Sequence, residues 1–404
     1  MEKIRGDNML RVPVNKITPG MVLARPIPLP NEPYRFLLQR DREIPMDVVP
    51  RLKQLGVLEV WVRYRNLEFL EDIIDQGLGE RQREVYAHVR ENFEQIMHGA
   101  ATQLDVGQFT SSIAGLFNYL KESARANILL SKLDAFDNYL MSHSTNVCYL
   151  ALLLGMHLER YLIEERARCL PRDAKDIKEL GLGCILHDVG KMLIASEILN
   201  KPGKLTPEER AIVERHPVFG YEMVRDRVPA PAAQVVLNHH QRYCGGGYPA
   251  RVDHRTGQSL PPLAGRQIPI FCRITTVCDV FDAATTNRCY SRAKPYVQAL
   301  HEMRTSCVHF FDPMVLDAFC EIIPAFPLGQ VVTLCNGAEA VVVDFNPRHA
   351  LRPKVQCIRD TAGCEIADPT LHEFDLAIHL DLDIVEVNGR DVREFTVEPE
   401  VCVG

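Results

Sequence analysis

The sequence predicts a mainly α-helical protein, with a long helical core flanked by a small α+β domain at the N-terminus and a small β domain at the C-terminus. Three observations carry this. Residues from about 105 to 325 repeat apolar side chains at helical spacing. The first 77 residues mix strand-like and helix-like runs around Pro-Gly turns, and after Pro324 the text breaks into short β-type runs.

Taken in order, MLRVPVNKI reads as a strand, and Pro19-Gly20 marks a turn before a second extended run, MVLARPI. Asp47 to Leu55 has the pattern of a short amphipathic helix, followed by a strand from Val57 to Val62. This completes a mixed module over 1–77, expected to be regulatory. Charged helical text then covers 78–135, with 78–104 as a helical linker. It offers either a dimerisation face or a solvated linker face. In the core, 105–325, Val147, Leu150 and Leu154 share a helical face, as do Ile177, Leu180 and Cys184. Pro and Gly clusters at Lys201–Gly203, Gly245–Pro249 and Pro261–Gly265 punctuate it. In the last domain, 326–404, the runs VVTLC, AVVVDF, KVQCI and AIHLD read as strands.

Composition narrows the function classes. A hydrophobic fraction of 46% and a charged fraction of 25% are ordinary for a globular chain. The 13 cysteines are scattered, odd in number and lack any CxxC pair. That argues against a disulfide framework or a thiolate zinc site, and for a reducing cytoplasm. The apolar run Tyr149–Met156 is too short to span a membrane, and MEKIRGDNML has no apolar secretory core. A net charge of −7 disfavours a nucleic-acid polymer as partner. A small anion remains compatible, because local lysines and arginines decide that.

The chemistry lies in the histidines and acids of the helical region: His143, the pair His187-Asp188, His216, the pair His239-His240, and Asp279. Imidazole and carboxylate without thiolate suit Fe, Mn, Zn or Ni. Seven such groups exceed the needs of one tetrahedral zinc and fit two metals sharing a carboxylate. Singly, each is better read as a surface or hydrogen-bonded residue, and His157, His301, His309, His372 and His379 are left in that class. The surrounding text alters the balance. ILHDVGK sets His187, Asp188 and Lys191 behind an apolar stretch, where burial is costly unless they pair or bind metal. VVLNHHQRYCGGGYP sets two histidines before three glycines, which permit positive φ or close backbone approach. Tyr248 adds a ring for stacking.

The motifs HDVGK, ILNKPGKLTPEE, HPVFG, HHQRYCGGGYP and CDVFDAATTNRCY stand in the order of the HD-GYP family. The resemblance covers about 105–325, roughly half of the chain. HD-GYP proteins are a branch of the HD phosphohydrolases, known as cyclic di-GMP phosphodiesterases in bacteria. The resemblance implies a helical HD-type phosphohydrolase core. It also implies hydrolysis of cyclic di-GMP to linear dinucleotide and/or GMP by a bridging hydroxide on two divalent metals, Fe or Mn foremost. His143, His187, Asp188, His216, His239, His240 and Asp279 match the family's metal ligands, with Asp188 bridging. Lys191 resembles the lysine on the scissile phosphate, Arg288 the substrate-phosphate arginine, and Gly247, Tyr248 and Pro249 the GYP triplet. The alternative is a weak or inactive domain acting as a cyclic dinucleotide receptor. A homodimer or a signalling partner is expected through the N-terminal module.

Four positions depart from the family pattern. Tyr139 replaces a glutamate that supports a third metal in some members, which favours two. Gln241 replaces the glutamate of HHE, where its amide could still bond a ligand histidine. Cys244 replaces an acid, and Arg288-Cys289-Tyr290 replaces Arg-Pro-Tyr. The stretch VDHRTGQSLPPLAGRQIP reads as a surface loop, with a lid as the rival reading and His254 not a ligand. Trp61 is expected to pack in a core.

Overall fold

The structure, a computed structural model, describes residues 9–29, 32–55, 57, 59–64, 76–97, 105–122, 139–201, 203–253, 255–286 and 293–397. The N-terminal segment contains β1 (Met9–Pro13), β2 (Ile27–Leu29), β3 (Glu32–Leu38), α1 (Val49–Gln54) and β4 (Glu59–Arg63). β1 pairs antiparallel with β4, and β2 with β3. The expected strand at MVLARPI is realised only at its end, in β2, preceded by single bridges at Val22 and Leu23.

Helices follow: α2 (Gln76–Met97), α3 (Val106–Glu122), α4 (Tyr139–His157), α5 (Glu159–Glu165), α6 (Pro171–Ala174), α7 (Lys178–Leu186), α8 (Ser196–Leu199), α9 (Pro207–Val213), α10 (His216–Val224), α11 (Ala230–Asn238), α12 (Ile270–Thr285), α13 (Tyr296–Arg304) and α14 (Pro313–Ile322). Helix α9 starts on a capping box in which Thr206 accepts the Glu209 amide and Glu209 reaches back. α4, α7 and α12 are apolar over most of their circumference, so they are buried together at the centre. Val147, Leu150, Leu154, Ile177, Leu180 and Cys184 all lie in that core.

A buried ion network braces α12. Arg273 bonds Glu165 of α5, Asp312 at the start of α14 and the Ile268 carbonyl, and its Nη1 lies 3.1 Å from the Tyr161 hydroxyl. Asp312 also accepts the Met314 amide and so caps α14.

The C-terminal strands are β5 (Val331–Leu334), β6 (Glu339–Asp344), β7 (Lys354–Arg359), β8 (Glu373–Asp375), β9 (Ile384–Val387) and β10 (Arg390–Asp391). They form one antiparallel sheet in the order β10-β9-β5-β6-β7-β8. Three expected strands are present as β5, β6 and β7. AIHLD is instead a turn: Ile378 and His379 donate to the Asp375 carbonyl, and the Asp375 side chain takes the Ala377 amide. An Asp that gathers the amides after it ends a strand rather than continuing one.

The sheet is covered on both faces. Val332, Leu334, Ala340, Val342, Val355 and Cys357 join the helical core, whereas Val331, Val341 and Ile358 join the core of the N-terminal segment. Neighbours such as Val341 and Val342 point to opposite faces. Double coverage accounts for the nearly unbroken apolar runs of β5 and β6. Trp61, only part-buried, lies at this junction, with Arg11 and Arg25 over its ring and Gly329 against its edge.

Candidate metal centre

The seven histidines and aspartates singled out by sequence converge from five helices or their ends. His143 lies in the first turns of α4, His187 and Asp188 follow α7, and His216 begins α10. His239 and His240 follow α11, and Asp279 is on α12. Their donor atoms fall into two groups, each within 4.8 Å: Asp188, His216, His239 and His240, and His143, His187 and Asp279.

Local packing explains the convergence. Gly190, in the 3-10 turn after Asp188, lies where a Cβ would be 2.0 Å from the His216 carbonyl oxygen. Only glycine lets that turn cross α10 so closely, and the crossing brings His216 Nε2 to 3.2 Å from Asp188 Oδ1. Thr276 Oγ1 on α12 donates to the His239 carbonyl at 2.7 Å, tying the end of α11 to the helix that carries Asp279.

Each of four rings is held from behind. The Nδ1 atoms of His187, His216 and His239 face the carbonyls of Cys184 (2.6 Å), Val213 (2.7 Å) and Val236 (3.0 Å). His143 Nδ1 faces the Asp282 carboxylate at 2.7 Å. A carbonyl can only accept, so in the first three rings Nδ1 carries the proton and Nε2 turns its lone pair inward, whereas His143 lies between two carboxylates and carries a proton toward each. Sequence reasoning missed Asp282. It is fully buried one helical turn beyond Asp279, and its i, i+3 spacing from that ligand was the available signal.

The inward atoms fit a cation and little else. His187 Nε2 and Asp188 Oδ1 are buried without a hydrogen-bond partner among the described residues. His216 Nε2 and His239 Nε2 lie 3.3 Å apart, so two lone pairs face each other. Buried polar atoms are seldom left so, and a metal between them answers the cost. His143 Nε2 stands 3.0 Å from Asp279 Oδ1, and His240 Nδ1 is 3.7 Å from Asp279 Oδ2.

The electrostatics agree. Burial favours a neutral Asp188, but the Lys191 charge and nearby imidazoles outweigh it and hold the carboxyl well below its usual range. Asp279 is likewise held down, against its burial, by the bond from His143 and the surrounding imidazoles. Burial pushes His239 well down and His240 to about 3, so both stay neutral. His143 goes the other way. Burial opposes its charge, but bonds to Asp279 and Asp282 raise it to about 9.

Lys191 Nζ donates to Asp188 Oδ2 at 2.6 Å and keeps part of its side chain open to solvent. In the GYP triplet, Gly247 approaches backbone rather than open space: a Cβ would meet the His240 carbonyl oxygen at 2.2 Å. The φ of Gly245 is +86° and that of Gly246 +82°. The Tyr248 ring packs on His240 with centroids 4.4 Å apart, and burial raises its phenol so that it stays protonated. Among the described residues Gln241 bonds no histidine. Its Nε2 donates to the Pro249 carbonyl at 2.8 Å, because the turn through Gly245–Gly247 folds Pro249 back over it. Cys244 is exposed, and its amide donates to His309.

The described residues from Val252 to Pro262 are mostly exposed, with a bridge between Val252 and Ser259, and a 3-10 turn at Gly265–Gln267 then leads to buried Ile268. Arg288, Cys289 and His254 lie outside the described residues, as does the side chain of Tyr139. His157 pairs with Glu321 away from the centre.

Comparison with known proteins places this geometry. The family model described as an HD domain matches residues 125–315. A second, described as a KOW domain associated with HD domain, matches residues 331–393. A cyclic di-GMP phosphodiesterase of Pseudomonas aeruginosa is 38% identical over 234 residues, 57% of this chain and 51% of that protein. The cyclic di-GMP phosphodiesterase response regulator RpfG of Xanthomonas campestris is 36% identical over 147 residues, 36% of each chain. A 3'3'-cGAMP-specific phosphodiesterase of Vibrio cholerae is 35% identical over 139 residues, 34% of this chain and 24% of that one. The chain thus spans about half the length of the first of these relatives and less of the others.

Proposed function

Since the chain belongs to the HD-GYP family, we propose that it is a metal-dependent phosphodiesterase that opens cyclic di-GMP to the linear dinucleotide and/or GMP. The observation that carries this reading is the pair of buried donor groups with His187 Nε2 and Asp188 Oδ1 left without partners. We assign two divalent ions, Fe or Mn, to His143, His187, Asp188, His216, His239, His240 and Asp279, with Asp188 shared between them. Bound there, the ions would supply a hydroxide near neutral pH and neutralise phosphate oxygens.

The protein's own groups do the rest. The four rings fixed through Nδ1 hold their inward nitrogens in place without reorganisation. Lys191 spends one of its three N–H donors on Asp188, which leaves two for a phosphate oxygen on the open side. There it would offset charge that grows as the P–O bond breaks. Arg288 is assigned a second phosphate contact, bidentate where a lysine could not be. Tyr248, protonated and stacked on His240, gives the site a flat wall for a guanine base and keeps water from that side.

The test is metal analysis of the purified protein and cyclic di-GMP turnover with Fe or Mn, beside an Asp188→Ala variant. Turnover present in the parent and absent in the variant is expected. Tight binding with metal bound but no turnover would replace the enzyme with a receptor. Faster kcat/KM on 3'3'-cGAMP, the substrate in the name of one relative, would change the assigned substrate.

A further inference from the structure

The turn that carries Tyr248 leans on two neighbouring segments. The Tyr243 amide donates to the Phe310 carbonyl at 2.9 Å, and the Cys244 amide to the His309 carbonyl at 3.1 Å. The Arg242 guanidinium lies over the Phe310 ring, 4.1 Å from its centroid. The Tyr243 carbonyl in turn accepts the Gly265 amide at 2.8 Å. The turn is thus gripped between two 3-10 segments, Val308–Phe310 and Gly265–Gln267. Single 3-10 turns make poor internal bonds, so their place must be set from outside.

Both segments are tied down at one buried side chain. Asp312 follows the first of them, and Ile268 follows the second, with its amide on the Gly265 carbonyl at 3.2 Å. Arg273 of α12 holds both: its guanidinium pairs with the Asp312 carboxylate, and its Nε donates to the Ile268 carbonyl at 2.9 Å. Glu165 of α5 takes the Nη2 end. The Tyr161 hydroxyl donates to Asp312 at 2.9 Å. Burial and that bond push the phenol up to about 12, so it remains a donor. A planar guanidinium serves three acceptors in fixed directions, which a lysine cannot do. A buried ion pair adds little stability over an apolar pair of the same size, but a fully bonded one fixes where its members stand.

Given the function proposed above, on which this rests, we propose that Arg273 and Asp312 are positioning residues for the substrate. From inside the core they set the place of the turn from Arg242 to Gly247 and, through it, of the Tyr248 ring on which a base of the cyclic dinucleotide stacks. The turn closes on itself where the Tyr248 amide meets the His240 carbonyl at 3.3 Å, so a shift of its outer limb is passed to the ring. Loss of the Arg273–Asp312 pair frees both 3-10 segments, and the outer limb moves with them. The metal ligands do not follow. His187, His216 and His239 are held by the carbonyls of Cys184, Val213 and Val236, and Asp279 by its bond to His143.

The experiment compares Asp312→Asn and Tyr161→Phe with the parent, as full-length metal-loaded protein. Asp312→Asn keeps the shape of the side chain and removes its charge, and Tyr161→Phe deletes a single hydroxyl. Bound metal, the thermal melt, amide hydrogen exchange over 242–249, and kcat and KM on cyclic di-GMP are measured for each. Metal content should stay unchanged, while exchange over 242–249 speeds up about tenfold in Asp312→Asn. KM should rise about fivefold to tenfold with kcat within about twofold, and Tyr161→Phe should shift both readouts the same way by less. Val355→Ala, a cavity in the buried sheet, is the control: it should lower the melt and leave the exchange of the turn and KM alone. Variants that only lower the melt, with KM and turn exchange unmoved, overturn the proposal. So does loss of metal in step with turnover, which would put the network behind the ligands instead of the turn. Should Asp312→Asn fail to fold, Tyr161→Phe decides by the same readouts. An active parent with unmoved KM in the variants removes this inference alone, whereas a metal-loaded parent that neither binds nor turns over cyclic di-GMP removes the proposed function and this inference with it.

Discussion

The two walls of the candidate metal centre are built from different material. One wall is helical and closed: His143, His187, Asp188, His216, His239 and Asp279 are buried, and the four best-held rings each have an acceptor behind Nδ1. The other wall is the turn from His240 to Pro249, half open, with two glycines at positive φ and an exposed cysteine. On the first wall each of the four rings is fixed more than once, by the helix or helix end that carries it and by the acceptor behind it. On the second, position depends on a few single contacts: Tyr248 against His240, Gln241 to Pro249, and the Tyr243 and Cys244 amides to Phe310 and His309. Damage to the closed wall should therefore remove the metals, whereas damage to the open wall should alter how substrate is held.

The largest effect is expected from Asp188→Asn. The variant keeps the shape of the side chain and removes the charge that both donor groups approach. Bound metal should fall to background by mass spectrometry, and turnover should drop by about a thousandfold or more, or ~4 kcal/mol in the barrier. Retention of the full metal complement would break the comparison at its strongest point.

Next comes the pH response of the metal-free protein. With its pKa raised from 6.5 to about 9, His143 contributes stability that is complete below about pH 6.5. That contribution is lost as pH rises through about 9, because the unfolded chain gives up the proton first. The loss is about 3 kcal/mol, from the size of the shift. Denaturant midpoints of chelator-treated protein should fall across this window. Metal-loaded protein should lack the fall, because the cation takes the place of the proton between His143 and Asp279. Metal uptake at pH 8 should correspondingly release protons to the medium, as a weakly buffered dye titration would record.

Asp282→Asn tests the support behind a ligand. The amide oxygen can still accept from His143 Nδ1, but the charge is gone. Metal affinity should weaken by about 10- to 100-fold in a competition with chelator. An unchanged affinity would mean that the helix alone places His143.

How much of this was legible in the sequence follows the same division. The seven donor residues were readable because each is a titratable side chain in an unusual local text, such as HDVGK or NHHQ. The support behind them was not, since Cys184, Val213 and Val236 act through carbonyls that every residue carries. Asp282 could have been found, from its place one turn past Asp279. The helical core was read correctly from its period, and β5 to β7 from their apolar runs. AIHLD misled because its alternating apolar residues point to solvent in a turn. The strand Ile384–Val387 and the seating of the N-terminal segment on the sheet depend on contacts between distant segments, which local patterning does not record.

The smallest predicted effect falls on the open wall, at Gln241. The resemblance to the family pattern sets a glutamate here, so the residue reads in sequence as a weakened ligand support. Its geometry says otherwise, because Nε2 donates to Pro249 and holds down the turn that places Tyr248 on His240. A carboxylate cannot donate that bond, and Gln241→Glu would set two acceptors against each other in a buried place. The expected cost is ~1–2 kcal/mol, seen as a KM raised about fivefold to thirtyfold with bound metal unchanged. Gln241→Met, which removes the donor without adding charge, should give the lower end of that range. If Gln241→Glu instead raised kcat, the glutamine would be a handicap and the open wall would be a degraded copy of the family's. A rise in KM alone would mean that this chain has rebuilt the wall around an amide.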